Sequence, residues 1–228
     1  MKYSIYVVLA IACCLVSCDK DFLEVSPTTV TDQALWADAG LTEAYILNLY
    51  TGIRMADKEP NDDDRNIGFG RGYHWAMYAS VTDEAVYSND DQTYLVQRGQ
   101  LSPVLYGWTS TTWGSSYRGI REVNLALENI GTTPVSDERR SLLTAELRFI
   151  RAYRYFDLLK GFGGVPIIGD RVTTLTDDFS DLYQRKSIAE TVAYIQLELD
   201  AVIPVLSQDP RSDWDGGRAT STAAQGLK

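Results

Sequence analysis

Apolar residues recur every three or four positions over five stretches of this 228-residue chain, and the intervals between those stretches lose the rhythm. Such spacing gathers apolar side chains on one face of an α-helix. A first helix is expected from about Asp32 to Arg54, with Leu35, Ala39, Ile46, Leu49 and Ile53 on one side. A second is expected from about Thr111 to Ile130, where Trp113, Tyr117, Ile120, Asn124 and Leu127 recur and Gly131 is placed to cap the end. Pro134 and Ser136 break the chain. The third helix, Asp137–Lys160, has the strongest repeat: Leu142, Ala145, Phe149, Ala152, Phe156 and Leu159. At the helical rise it would be about 36 Å long. Asp137 and Glu138 suit its positive end, and Gly161 is placed to terminate it. The fourth opens with Ser187 and Glu190, the spacing of a capping box. It continues through Val192, Ile195, Leu199 and Val202 until Pro204 stops it. A fifth begins at Arg218, after Gly217.

Between these helices the pattern is irregular. Residues 57–108 gather Gly, Asp, Asn and aromatics, with room for one short helix near Asp83–Tyr87. Loops this long in a compact domain are usually functional. The GFGGVP run after Lys160 forces irregular backbone, and strand signals are few. Helices two and three are separated by a tight turn, and the same arrangement is expected for four and five. The fold class read from this pattern is mainly all-α, an array of paired antiparallel helices of the TPR-like kind with long irregular loops, although no W-x2-L-G-x2-Y signature is present. Helix five offers only Ala219, Ala223, Ala224 and Leu227 before Lys228. The chain therefore reads as a fragment whose fourth helix leaves part of Ile195, Leu199 and Val202 exposed, so that residues 18–228 alone are expected to be poorly soluble or molten.

The first eighteen residues change the picture most. Lys2 is the one charge before Asp19, and Ile5–Val16 is apolar apart from a tyrosine and two thiols. A bilayer core needs roughly twenty apolar residues, so this run is too short to span and reads as the h-region of a signal peptide. Leu15-Val16-Ser17-Cys18 resembles the lipobox of bacterial lipoproteins, in which the cysteine is lipidated and becomes residue one. Two or three acyl chains anchor a protein stably. Cys13 and Cys14 leave with the signal, so no disulfide or thiolate site remains. The expected layout is a signal peptide over 1–17, an extended tether over 18–31, and a helical domain over 32–228.

Composition permits a core, with 45% hydrophobic and 23% charged residues. The net charge is -10, and loss of Lys2 with the signal peptide takes it to -11. That balance argues against nucleic acid or anionic lipid as a partner, since both need a cationic face.

Several segments together resemble one family. Cys18-x-x-Asp21-Phe22-Leu23-Glu24-x-x-Pro27 is similar to the start of mature SusD/RagB family lipoproteins. Trp113–Ile130 (WGSSYRGIREVNLALENI) resembles the family's Trp…Tyr…Ile…Asn…Leu…Ile helix. Ala145–Ile168 (AELRFIRAYRYFDLLKGFGGVPII) resembles its long helix leading into Phe-Gly-Gly-Val-Pro, and Gly217-Arg218-Ala219-Thr220 resembles the opening of the next helix. The resemblance covers residues 18–228, the N-terminal portion of such proteins. It implies a TPR-containing α fold on the outer membrane, lying over a SusC-like TonB-dependent transporter and capturing glycans, or sometimes peptides, for import. A peptide-binding lipoprotein of the same architecture is the alternative, and a degradative enzyme the third reading.

Candidate chemistry is sparse. An EF-hand loop from Asp62 would need Gly and Glu where Ile67 and Tyr73 stand. Adjacent Asp83 and Glu84 lack the separation of a glycosidase pair, and Asp83 reads better as a helix N-cap. His74 is the one histidine, which removes His-based metal sites and disfavours Ser–His or Cys–His chemistry. Asn124 reads as a buried residue that fixes helix register through satisfied hydrogen bonds. Gly161, Gly163 and Gly164 lack phosphate-loop spacing and read as a structural turn. No cofactor and no metal is expected. The ligand candidates are the loop aromatics and their polar neighbour: Trp75, Tyr78, Tyr87, Asn89, Tyr94 and Trp108. Their rings can meet the C–H faces of a sugar while rim polar groups bind its hydroxyls.

Overall fold

A computed structural model of the chain describes residues 31–50, 82–86, 97–100, 107–174, 176–208 and 217–228. The chain divides into two units, residues 1–35 and 36–228. Of the first, residues 31–35 are described. There the Thr31 carbonyl and hydroxyl accept the N–H groups of Leu35 and Ala34, closing the first turn of α1 (Asp32–Ala37).

The second unit is helical throughout its described elements. Where one long helix was expected from Asp32, the chain breaks at Asp38 and restarts as α2 (Ala39–Leu49). Asp38 has extended backbone, and its carboxylate accepts the Leu41 N–H at 2.8 Å. That bond satisfies an otherwise orphaned donor, so a new helix start wins over continuation. α2 buries Thr42, Ile46 and Leu49, and it ends at Tyr50, short of the expected Arg54; Ile53 lies outside the described residues. Trp36 packs edge-on against Tyr45 at 5.2 Å.

α3 (Gly107–Asn129) starts four residues earlier than the apolar spacing predicts and ends in a 3₁₀ turn over Ile130–Thr132, not in a cap at Gly131. α4 (Asp137–Phe162) is the centre of the unit, about 39 Å long at the helical rise. The Ser136 hydroxyl accepts the Arg139 N–H at its start. The helix runs past Gly161 and is capped by Gly163 at φ 70°, a backbone conformation that favours glycine. Next come α5 (Phe179–Leu182), α6 (Ile188–Leu206) and α7 (Ser221–Leu227). The Ser187/Glu190 capping box forms as the spacing predicted. Pro204 does not stop α6, because it lies in the last turn, where its missing N–H costs one bond and the helix continues to Leu206. Residues 207–220 separate α6 from α7, so this connection is not the expected tight turn. α7 itself begins three residues after Arg218, with Thr220 as its N-cap.

Partners rise along α3 as they fall along α4: Trp113 meets Phe162, Asn124 meets Arg151, and the Ile130 carbonyl meets Arg140. The same holds for α4 and α6, where Arg151 meets Glu198 and Tyr155 meets Tyr194. These antiparallel pairs, with α7 packed on α6, are the all-α, TPR-like arrangement read from the apolar pattern.

Because α3 and α6 flank α4 on two sides, its buried arc is wider than a single stripe. Leu143, Leu147, Ile150, Tyr155 and Leu158 are fully buried beside the expected Ala145, Phe149 and Ala152. Leu142, Phe156 and Leu159 are only half-buried, which corrects the register assigned from spacing. Each fully buried Leu or Ile contributes about 1.5–3 kcal/mol by transfer from water. Ile195, Leu199 and Val202 of α6 are also buried, contrary to the expected exposure, because α4 and α7 together cover that face.

Candidate functional site

The polar side chains that interrupt the apolar faces of α3 and α4 share one structural task. The chain leaving α4 forms a strap, residues 163–174, laid along the two helices. A Cβ at Gly164 would collide with the backbone at Lys186 and Ser187, so the strap passes closer there than any other residue allows. The Val165 carbonyl accepts the Lys186 N–H at 3.2 Å, and Tyr117 donates its hydroxyl to the Pro166 carbonyl at 2.8 Å. The Ile168 N–H donates to the Tyr155 hydroxyl at 2.9 Å. Asn124, fully buried, donates to the carbonyls of Gly169 and Arg171 at 2.9 and 2.8 Å. Arg121 donates to the Thr173 carbonyl at 3.0 Å. Asn124 is satisfied as expected, yet what it fixes is this strap as well as the neighbouring helix. Gly163 and Gly164 act as the structural turn their spacing implied, whereas Gly161 lies inside α4.

Beneath the strap lies a buried charge cluster. Arg151, 2% exposed, donates to both Asn124 Oδ1 at 2.7 Å and Glu198 at 2.8 Å, and it pairs with Asp170 at 2.7 Å. Arg148 reaches the same Glu198 carboxylate at 3.0 Å. Burial pushes the Tyr155 hydroxyl up to about 12, so it stays protonated beside these charges. A second cluster joins α2, α4 and the segment before α7. Glu146, fully buried, accepts from Arg218 at 2.8 and 3.0 Å and from the Tyr50 hydroxyl at 2.9 Å, and that hydroxyl in turn accepts the Ala219 N–H at 2.9 Å. Glu43 accepts two bonds from Arg139 at 2.6 and 2.8 Å, which hold its carboxyl below the ordinary range against the opposing effect of burial. Every carboxylate in these clusters already holds an arginine, so none is poised as a general acid or base.

A further polar group lies at the far end of α4. Asp157 pairs with Lys160 at 2.7 Å; burial raises the carboxyl and lowers the ammonium, in each case against their mutual attraction. A shallow groove of about 320 Å³ opens between α4 and α6, floored by Ala145, Val202 and Val205 and rimmed by Arg140 and Arg148. Both arginines are committed, to Asp137 with nearby carbonyls and to Glu198. Among the described residues no group of three or more His, Cys, Asp or Glu converges on a point that could hold a metal ion. Nor is any described helix long and apolar enough to cross a membrane.

Trp75, Tyr78, Tyr87, Asn89 and Tyr94 lie outside the described residues, as do Cys18, His74 and the Asp62 loop. Trp108 belongs to the first turn of α3. Residues 82–84 form a bend and Ala85–Val86 are irregular, so the short helix expected from Asp83 is absent over its described part, and the Glu84 N–H donates to Thr82 instead of to a cap at Asp83. Sequence reasoning did not anticipate the setting of Trp113. Its ring is half-buried, 4.9 Å from Phe162 and 5.0 Å from Tyr117, with the Arg185 guanidinium 5.5 Å above it. A tryptophan on a helical stripe gave no signal that an arginine 72 positions away (185 against 113) would stack on it.

Comparison with known proteins agrees with this fold. A SusD-like protein from Bacteroides fragilis superposes with a TM-score of 0.67 at 25% identity, covering 87% of this chain and 35% of its own. A SusD-like carbohydrate-binding protein from the same organism gives 0.68 at 23%, over 85% of this chain and 36% of its own. The SusD-like protein P25 of Formosa agariphila is 29% identical over 113 residues, 46% of this chain and 21% of that protein. The chain thus spans about a fifth to a third of the length of these relatives. A family described as starch-binding and associating with the outer membrane matches residues 21–227. With nearly the whole chain inside that match and the helical pairs superposing on its members, the chain belongs to the SusD-like family.

Proposed function

We propose that this chain is part of a cell-surface lipoprotein that binds oligo- or polysaccharide and delivers it to a SusC-like TonB-dependent transporter in the outer membrane. The observation that carries this reading is the match of residues 21–227 to a family described as starch-binding and associated with the outer membrane. Relatives named as a carbohydrate-binding protein and as a laminarin-binding protein support it. In this reading residues 1–17 are the signal peptide, Cys18 carries the acyl chains, residues 18–31 are the tether, and residues 32–228 are the helical scaffold. Trp75, Tyr78, Tyr87, Asn89, Tyr94 and Trp108 supply the sugar contacts. The protein works as a binder and needs no cofactor: its charges serve to hold helices together, and no step of bond cleavage is assigned to it.

Electrophoresis of the protein through gels cast with a panel of soluble polysaccharides tests the function. Retardation by at least one glycan without release of reducing ends is the expected result. Retardation by none of them, with retention on immobilised peptides, would shift the ligand to peptide, and release of reducing ends would make the protein an enzyme. Replacing Cys18 by Ala is expected to abolish labelling with palmitate and to move the protein out of the membrane fraction.

A further inference from the structure

The arginines of this chain divide by location. Arg139, Arg140, Arg148 and Arg151 of α4 all pair with carboxylates. Along the face formed by α3 and the strap, four others meet no carboxylate among the described residues. Arg118 and Arg121 are exposed, one turn apart on α3, and Arg171 is exposed on the strap beside them. The strap's position is fixed by Asn124 at the Arg171 carbonyl and by Arg121 at the Thr173 carbonyl. Arg185 completes the row at the Trp113 end, where its guanidinium stacks on the indole at 5.5 Å and one N–H donates to the Phe162 carbonyl at 3.2 Å. From Trp113 to Asn124 this face runs roughly 16 Å along α3.

Acids near the row are turned to other partners. Asp170 pairs with Arg151 from the solvent side, Asp177 accepts from Thr174, and Glu122 acts electrostatically on Arg154. Glu128 stands about two turns beyond Arg121. In a chain of net charge -10, a row of four arginines that meets no carboxylate among the described residues is a local exception. Such a row concentrates anions against the repulsion of the rest of the surface. Guanidinium is also the side chain best matched to planar, bidentate recognition of carboxylate or sulfate oxygens. Arg185 is held in place by the indole and a backbone carbonyl before any ligand arrives, so little rotamer freedom remains to be lost on binding. Tyr183, 45% exposed, lies within electrostatic reach of Tyr117, as Arg185 does, and offers an aromatic surface to a sugar ring.

We propose that the α3–strap face binds an acidic saccharide, one whose units carry uronate carboxylates or sulfate esters, with Arg118, Arg121, Arg171 and Arg185 as the recognising residues. The proposal rests on the glycan-binding reading and narrows it to a substrate class. The test is calorimetric titration of the protein with oligogalacturonate, with a sulfated galactan oligosaccharide and with a neutral laminari-oligosaccharide, at low and at physiological salt. At least one acidic saccharide is expected to bind more tightly than the neutral one, and more weakly as salt is raised; which one does so identifies the anionic group. Neither the Arg118 nor the Arg171 side chain makes a hydrogen bond among the described residues, so Arg118→Gln with Arg171→Gln is expected to keep the fold, which an unchanged melting temperature checks. The pair is expected to weaken acidic-saccharide binding about tenfold or more while leaving any neutral-sugar affinity unchanged. Binding of the neutral saccharide alone would overturn this inference and leave glycan binding intact. Acidic-saccharide binding that the double variant does not weaken would place the site elsewhere, and equal competition by polyglutamate would make the face a binder of acidic polypeptide. Binding of no saccharide would overturn both readings.

Discussion

Removing the charge of Glu198 is the most direct test of how the helices are held together. This carboxylate is 3% exposed at the seam of α4 and α6, and it serves two guanidinium groups. Arg151 donates at 2.8 and 3.2 Å and Arg148 at 3.0 and 3.3 Å. Glu198→Gln keeps the shape and one acceptor oxygen but leaves Arg151 with a single carboxylate, that of Asp170, on a side chain that is 87% exposed. Breaking a buried pair by removing one partner costs about 3–5 kcal/mol. Asn124 Oδ1, the Gly169 carbonyl and Asp170 still accept from Arg151, so a loss near 3 kcal/mol, about the low end, is expected. Asp170→Asn touches the same guanidinium from the solvent side and should cost about 1 kcal/mol or less. Replacing both Arg151 and Glu198 by Met removes the two charges together, and its cost should fall below the sum of the single changes by about 1–3 kcal/mol. Urea unfolding with a constant m-value measures each of these variants, the single Met changes included. A Glu198→Gln protein within about 0.5 kcal/mol of the parent would mean that Arg151 is solvated in solution and that the cluster contributes nothing to the fold.

The same cluster explains where the sequence was legible and where it was not. Helix existence followed from apolar period, because α2, α3, α4 and α6 each bury a face, and the Ser187/Glu190 box located the start of α6 outright. Period alone could not say that α4 is covered from two sides. It therefore placed Phe156 in the core and left out Leu143, Leu147 and Leu158, which the second neighbour buries. Boundaries failed where side chains compete for backbone groups: Asp38 divides the first helix by capping, and a glycine two residues past Gly161 provides the turn. The buried charges were not legible at all. Glu146 and Arg151 lie in the core because a partner distant in sequence, Arg218 or Glu198, neutralises each. Such pairings over 47 or 72 positions leave no local signature. For the site, composition pointed to aromatics, whereas the arginine row on α3 and the strap depends on how two separate segments lie side by side.

Three further expectations follow from individual contacts. Phe156→Ala should cost about 1–2 kcal/mol, since the ring is half-exposed with Lys160 at 4.9 Å over its face, whereas Ile150→Ala, fully buried, should cost about 2–5 kcal/mol in the same denaturant assay. Tyr50→Phe removes the hydroxyl that joins Glu146 to the Ala219 N–H, a loss of about 1–3 kcal/mol by thermal unfolding, and an unchanged melting temperature would show that the bridge is not formed in solution. The last concerns acid. Arg139's two hydrogen bonds hold the Glu43 carboxyl below its ordinary value of 4.5. A carboxyl with a depressed folded pKa binds fewer protons in the folded state than in the unfolded one. Its stabilising contribution is therefore fully present above the unfolded value and is lost as pH falls through the folded one. Both side chains are about one-third exposed, so the pair is worth about 1 kcal/mol and weakens in salt. Glu43→Gln should then be less stable than the parent by that amount near neutral pH, and the gap should close as pH drops below 4.5. A gap that persists unchanged through that range would mean that the lost stability comes from packing at the α2–α4 contact and not from the charge of Glu43.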